Sequence, residues 1–330
     1  MTKSRISLDF DLAKPGKHAG YARLPYSVSR SAYGWLPIPV VSIKNGAGKT
    51  VLLLSGTHGD EYEGQVALTR LARQLQANDI QGHLIILPMA NYPAAKAGNR
   101  VSPIDEGNLN RLYPGNPSGA PSEMIAHFIE TELMSRADFV FDLHSGGASL
   151  NYLPATTSVA STGYSSEAER RALMSTFGAP YGLLFSSAPG SGSSSEAAAR
   201  NSIPRLGTEL GGRGWVHPAY RELCESGVLR VLALLGVTKS EGLPPPSEVR
   251  FLSVDKDCFV YAPENGLFEA SVMLGDEVRV GDLAGYVYFP ESPLRVPEAV
   301  HFLASGVVVC ERAVAMCERG DCLLHLGKAT

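Results

Sequence analysis

Three short, nearly uninterrupted apolar runs set the strongest limit on what this chain can fold into. They are Val51-Leu52-Leu53-Leu54, Leu84-Ile85-Ile86-Leu87 and Phe139-Val140-Phe141-Asp142-Leu143, closed by Ser55-Gly56, Pro88 and His144-Ser145-Gly146-Gly147. Successive side chains of a strand point to opposite faces, so a strand is apolar throughout only when both faces are covered. Helical segments that supply the cover lie between the runs. Gly64 to Gln76 carries Val66, Ala67, Leu68, Leu71, Ala72 and Leu75 at the spacing of one helical face. Met124 to Met134 and Gly227 to Leu235 also read as helices, and Pro37 to Ile43 as a further strand. The pattern predicts an α/β fold with helices flanking a central sheet.

At 330 residues the chain exceeds what one compact core usually needs, which predicts two domains. Thr238 to Arg250 holds three consecutive prolines and reads as the linker, giving a larger α/β domain over 1–240 and a small β domain over 241–330. Beyond Phe251 the runs are short, glycine-punctuated and weakly repeated. Ala262 to Glu269 resembles Phe302 to Val309, and each is followed by a Gly-Asp turn at Gly275-Asp276 and Gly320-Asp321. This part resembles the lipoyl or biotinyl barrel-sandwich. Neither turn offers the lysine that a carrier domain modifies, which favours a structural role.

Composition excludes other classes. The 29 Lys and Arg against 33 Asp and Glu give a net charge of −4, so no overall positive field draws nucleic acid or anionic lipid. No apolar stretch reaches the ~18 residues of a membrane span. The first residues lack the apolar core of a signal peptide, and five cysteines without a CxxC pair fit reduced thiols. The expected location is the cytoplasm.

The chemistry concentrates at strand ends. Gly56-Thr57-His58-Gly59-Asp60-Glu61 follows the first apolar run, and His144 ends the third. Imidazole and carboxylate are ligand types that zinc accepts, and ligands of open α/β sheets gather at the carboxyl ends of strands. His58, Glu61 and His144 are therefore the candidate metal ligands; three protein ligands leave a fourth position open, as catalytic zinc requires. Glu209, in Leu206-Gly207-Thr208-Glu209-Leu210-Gly211-Gly212, interrupts an apolar strand end and is the candidate general base and acid. Gly98-Asn99-Arg100 and Asn108-Leu109-Asn110-Arg111 lie in a long Gly/Pro/Asn-rich loop whose arginines offer a fork for a carboxylate or a charge for an oxyanion.

His58-Gly59-Asp60-Glu61, Asn108-Leu109-Asn110-Arg111, Asp142-Leu143-His144 and Thr208-Glu209 stand in the order found in the succinylglutamate desuccinylase/aspartoacylase family, which this sequence resembles over about residues 35 to 240. The resemblance implies a zinc carboxypeptidase-like central mixed sheet and one Zn²⁺ per chain on His58, Glu61 and His144. It implies that Glu209 moves the proton, Asn110 and Arg111 hold the substrate carboxylate, and Arg100 polarises the scissile carbonyl. The family's site tyrosine has no counterpart among these motifs. The expected reaction is hydrolysis of the amide of a small N-acyl amino acid. Further similarity in Leu24-Pro25-Tyr26-Ser27, Asn45 to Gly64, Asn91-Tyr92-Pro93-Ala94 and Ser102 to Arg111 narrows the expected substrate to an N-acetylated one such as N-alpha-acetyl-2,4-diaminobutyrate.

The alternatives are succinylglutamate desuccinylase or aspartoacylase activity, a zinc carboxypeptidase acting on peptides, and a non-catalytic binding protein on the same scaffold. The expected partner is a small carboxylate-bearing substrate, not nucleic acid or membrane, and homo-oligomer formation stays open. Ser186 to Ser195 is Ser/Gly-rich and reads as a lid or a plain surface loop. His18, His83, His127, His217, His301 and His325 lack partnered spacing and read as surface or core.

Overall fold

A computed structural model describes residues 3–159, 166–186 and 191–330. Part of the Ser186–Ser195 segment, residues 187–190, lies outside the described residues. The strands are β1 (Ser7–Leu8), β2 (Gly16–Pro25), β3 (Trp35–Asn45), β4 (Thr50–Ser55), β5 (Gly82–Leu87), β6 (Phe139–His144), β7 (Leu150–Val159), β8 (Tyr181–Phe185) and β9 (Arg205–Gly212). After them come β10 (Arg250–Val254), β11 (Phe259–Tyr261), β12 (Gly266–Ala270), β13 (Glu277–Val278), β14 (Leu283–Tyr288), β15 (Glu298–His301), β16 (Gly306–Arg312), β17 (Met316–Cys317) and β18 (Cys322–Ala329). The helices are α1 (Tyr62–Gln74), α2 (Tyr92–Ala97), α3 (Pro121–Phe128), α4 (Glu167–Phe177), α5 (Ser194–Arg200) and α6 (Pro218–Leu234).

The mixed sheet runs in the order β1-β2-β3-β5-β4-β6-β9-β7-β8-β10-β18-β16-β13. At its centre β5, β4, β6 and β9 are parallel neighbours. Alternation along these strands feeds two cores. Leu52, Leu54, Ile85, Leu87 and Val140 face the layer that includes α3, with Met124 and Ile125. Val51, Leu53, Leu84, Ile86, Phe139 and Phe141 face the layer of α1, α4 and α6, with Leu68, Leu71, Met174 and Val231. The apolar runs are buried on both sides, as their composition predicts. The expected helix over Met124 to Met134 begins earlier, at Pro121, and turns from α to a wider π turn over Ile129–Leu133.

The later strands close on the sheet. β7 pairs with β8, β8 with β10, β10 with β18, β18 with β16, and β16 returns to β7. This five-stranded ring takes two strands from before residue 240 and three from after it. A separate antiparallel sheet, β15-β14-β12-β17, packs with the ring around Val260, Phe268, Val287 and Phe302. Thr238 to Arg250 is largely without regular structure.

Candidate active site

The chain leaves β4 for β5 on one side and later enters β6 on the other, so the order reverses at β4. Crevices form at such a point beyond the carboxyl ends of the strands. The loop after Ser55 carries His58 and Glu61, β6 ends at His144, and Glu209 sits opposite His144 in the β6–β9 register. Local chemistry holds the loop. Gly59 N–H donates to Asn99 O at 2.9 Å, and a Cβ at Gly59 would stand 2.0 Å from the Ala94 carbonyl carbon. Asp60 Oδ2 accepts from Ala148 N at 2.8 Å, tying the His58 turn to the turn after His144. Gly147 there has φ +60, with the Asp60 carboxylate where its Cβ would be.

His58, Glu61, His144, Glu209, Arg100, Asn110 and Arg111 all line one cleft. His58 Nδ1 lies 2.6 Å from Glu61 Oε1, and His144 Nδ1 lies 2.8 Å from Glu61 Oε2. All three side chains are buried, and their ligand atoms lie within 4.8 Å of one another. The far nitrogens face acceptors. His58 Nε2 is 3.2 Å from Asn108 Oδ1, an oxygen that also accepts from Asn110 N at 3.1 Å. His144 Nε2 approaches Asp142 Oδ2 to 2.9 Å, outside good hydrogen-bond alignment. A ring that donates from Nε2 presents its bare Nδ1 lone pair inward. Two such lone pairs and a carboxylate turned toward each other repel unless a proton or a cation sits between them, so this donor set fits a metal ion.

The electrostatics agree. Burial alone would raise the Glu61 carboxyl, but His58 and His144 hold it well below the usual range. Burial would lower His144, yet Asp142 and Glu61 push it up to about 10. The centre calls for positive charge. Glu209 differs: burial, then the Glu61 charge, push it up to about 8, and its Oε2 has no hydrogen-bond partner among the described residues. Arg100 brings Nη1 to 3.4 Å from both His58 Nδ1 and Glu61 Oε1. Arg111 stands at the exposed rim, donating from Nη1 to Asn110 O at 2.7 Å, while Asn110 Oδ1 accepts from Ser194 N at 2.9 Å.

Several lining or supporting residues were given no role by the motifs. Asp142 is fully buried and accepts from Thr57 Oγ1 at 2.8 Å, from Arg205 Nη2 at 3.1 Å and from the Ser194 hydroxyl. Its signal was legible, an acid interrupting a buried strand, which demands partners. The partners are scattered along the sequence and gave none. Tyr152, Phe185 and Phe259 also line the cleft, the last from beyond residue 240. His325 is buried behind them.

The sequence profile of the succinylglutamate desuccinylase/aspartoacylase catalytic domain matches residues 47–235. The chain belongs to this family. It is 38% identical over 321 residues to the N-alpha-acetyl-L-2,4-diaminobutyric acid deacetylase of Halomonas elongata, covering 96% of this chain and 93% of that one. The product-bound ectoine utilization protein EutE (DoeB) of Ruegeria pomeroyi superposes with a TM-score of 0.95 at 37% identity, over 99% of this chain and 100% of that one. A succinylglutamate desuccinylase/aspartoacylase of Rhodobacter sphaeroides superposes with a TM-score of 0.91 at 36% identity, over 99% and 100%. These likenesses accord with a mixed α/β fold.

Proposed function

We propose that this chain is a zinc-dependent deacylase of small N-acyl amino acids, and that N-alpha-acetyl-2,4-diaminobutyrate is its substrate. The observation that carries the reading is the convergence of two imidazole Nδ1 atoms and one carboxylate beside a buried Glu209 whose carboxyl is pushed up to about 8. The 38% identity to a deacetylase of that acetylated amino acid supports the substrate. His58, Glu61 and His144 would hold the ion; two nitrogens and one oxygen suit zinc. A bound zinc supplies Lewis-acid chemistry, polarising a carbonyl and making water acidic near neutral pH.

Glu209 takes the proton from the attacking water and returns it to the departing amine nitrogen. A carboxyl whose ionisation lies near neutral pH is suited to both transfers. Arg100 stabilises the developing oxyanion, a role supported by its 3.4 Å approach to the ligand cluster. Asn110 and Arg111 hold the substrate carboxylate at the rim. A cavity of about 210 Å³ lies below the ~300–1,000 Å³ usual for drug-sized ligands. That favours a small amide over the peptide chain of a carboxypeptidase substrate. The zinc carboxypeptidase-like designation of the sheet belongs to this reading, supported by the parallel strands β4, β6 and β9 meeting the site toward their carboxyl ends. So does the division into 1–240 and 241–330, taken as a division of labour along one continuous sheet. The cytoplasmic assignment draws on five unbridged cysteines, four of them buried. Among the described residues no helix is long and apolar enough to cross a membrane.

The test is release of acetate from N-alpha-acetyl-2,4-diaminobutyrate by zinc-loaded protein, with short peptides as comparison. Glu209→Gln is expected to lose about 10²–10⁴-fold in kcat while zinc content stays at that of the parent. A Glu209→Gln protein with full activity, or a parent that cleaves only peptides, would overturn the reading.

A further inference from the structure

The cleft has two chemically different sides. Asn110 and Arg111 follow Asn108, which meets His58 beyond β4, whereas Tyr152 and Phe185 come from β7 and β8, past β9 in the sheet order, and Phe259 and His325 adjoin them. The aromatic side is built by the five-stranded ring and β11. Tyr152 comes from β7, Phe185 ends β8, and Phe259 opens β11, opposite His325 of β18 in the register. The Phe259 and His325 rings stack at 4.3 Å with planes 5° apart, and Tyr152 meets the same imidazole edge-on at 5.9 Å.

His325 is 1% exposed, and neither ring nitrogen has a hydrogen-bond partner among the described residues. Burial pushes it down to about 3, so at neutral pH it brings no positive charge to the wall. Of the other cleft cations, Arg205 is committed to Asp142 and the Ser194 hydroxyl.

We propose that Tyr152, Phe185 and Phe259 form the acyl subsite, and that this wall selects short uncharged acyl groups and rejects acyl groups ending in a carboxylate. The inference rests on the deacylase reading above and adds which residues choose the acyl group and by what property. An amide bond is trans, so the acyl chain and the amino-acid Cα leave it in opposite directions. With the substrate carboxylate at Asn110 and Arg111 and the carbonyl at the ligand cluster, the acyl chain runs toward the aromatic side. A methyl or propyl group there replaces water against apolar surface. A second carboxylate would be desolvated there, and among the described residues it would meet the Tyr152 and Thr157 hydroxyls at most, with no cation on that wall to neutralise it.

The test compares the N-acetyl, N-butyryl and N-succinyl forms of 2,4-diaminobutyrate on the zinc-loaded parent. Butyryl and succinyl share a four-carbon chain and differ in the terminal charge. The expected result is cleavage of acetyl and butyryl, with kcat/KM for succinyl at least about 100-fold below butyryl. Phe259→Lys is expected to narrow the butyryl-to-succinyl ratio at least tenfold. Phe185→Lys carries the same expectation should Phe259→Lys fail to fold.

Succinyl cleaved as well as butyryl would overturn the proposal and point to Arg205 lending its charge. Loss of butyryl and succinyl together would also overturn it, because volume would then be the selector. A ratio unchanged in a folded lysine variant would remove the assignment to this wall. A parent that cleaves none of the three would instead sink the deacylase reading itself.

Discussion

At the scale of single residues, the site depends on what stands behind its ligands as much as on the ligands. Asp142 lies beside the far nitrogen of His144 and is held by Thr57, Arg205 and Ser194, while Asn108 does the same for His58. The Asn108 oxygen and the Asp142 charge favour a proton on the far nitrogens, which would leave Nδ1 of each ring to face a bound ion. Asp142→Asn keeps the shape and removes the charge. We expect it to weaken zinc binding by about 10–100-fold, read by competition with a chelator, with little change in the far-ultraviolet circular dichroism. Unchanged affinity would mean that Asp142 serves only the packing of Arg205. Glu209 lacks such support: among the described residues one oxygen has no partner, and Glu61 repels its ionised form. Its proton is held by environment, and a cation bound beside Glu61 would offset part of that repulsion.

At the scale of elements, three parallel strands deliver the chemistry. β4, β6 and β9 are neighbours whose carboxyl ends bring the His58 loop, His144 and Glu209 to one height. The loop after β4 reaches the site because Gly59 passes against the backbone of Ala94 in α2. A methyl group there has no room and meets backbone, not a flexible side-chain end. Gly59→Ala is expected to lower stability by about 1–3 kcal/mol and to weaken metal binding as His58 shifts. Urea midpoints and zinc titration check both. A variant as stable as the parent, with unaltered zinc affinity, would show that the loop and α2 can separate freely.

At the scale of the whole molecule, the ring joins the two halves of the chain into one structure, and its interior holds His325. The unfolded chain takes up a proton on this imidazole below about pH 6.5, whereas the folded chain resists until about pH 3. Between those values the unfolded state binds more protons, so stability falls as pH falls. The contribution is fully present above pH 6.5 and is lost at up to about 1.4 kcal/mol per pH unit below it. His83, pushed down to about 4 by burial, adds loss of the same sign. Glu209, held up to about 8, contributes with the opposite sign, so the prediction is a difference: from pH 7 to pH 4 the parent is expected to lose more stability, or gain less, than His325→Phe in urea unfolding. An identical slope in that variant would place the acid sensitivity elsewhere.

The sequence by itself determined the central strands, the helix after β4 and the ligand-type residues at the strand ends. Those features are local: an apolar run, a period or a glycine turn carries its physics within a few residues. Four ordered motifs also determined the family. Only the tertiary structure decided that β7 and β8 would close a ring with strands from beyond residue 240. Strand pairing is a long-range hydrogen-bond choice that no short window encodes. It also decided that Phe259 would line the cleft and that His325, which read as an ordinary histidine, would stand behind it. Partners 52 to 85 positions apart from Asp142 became its hydrogen-bond donors for the same reason. Ligand chemistry is written in residue types, whereas the shell that orients it is written in distances, and distances exist only after folding.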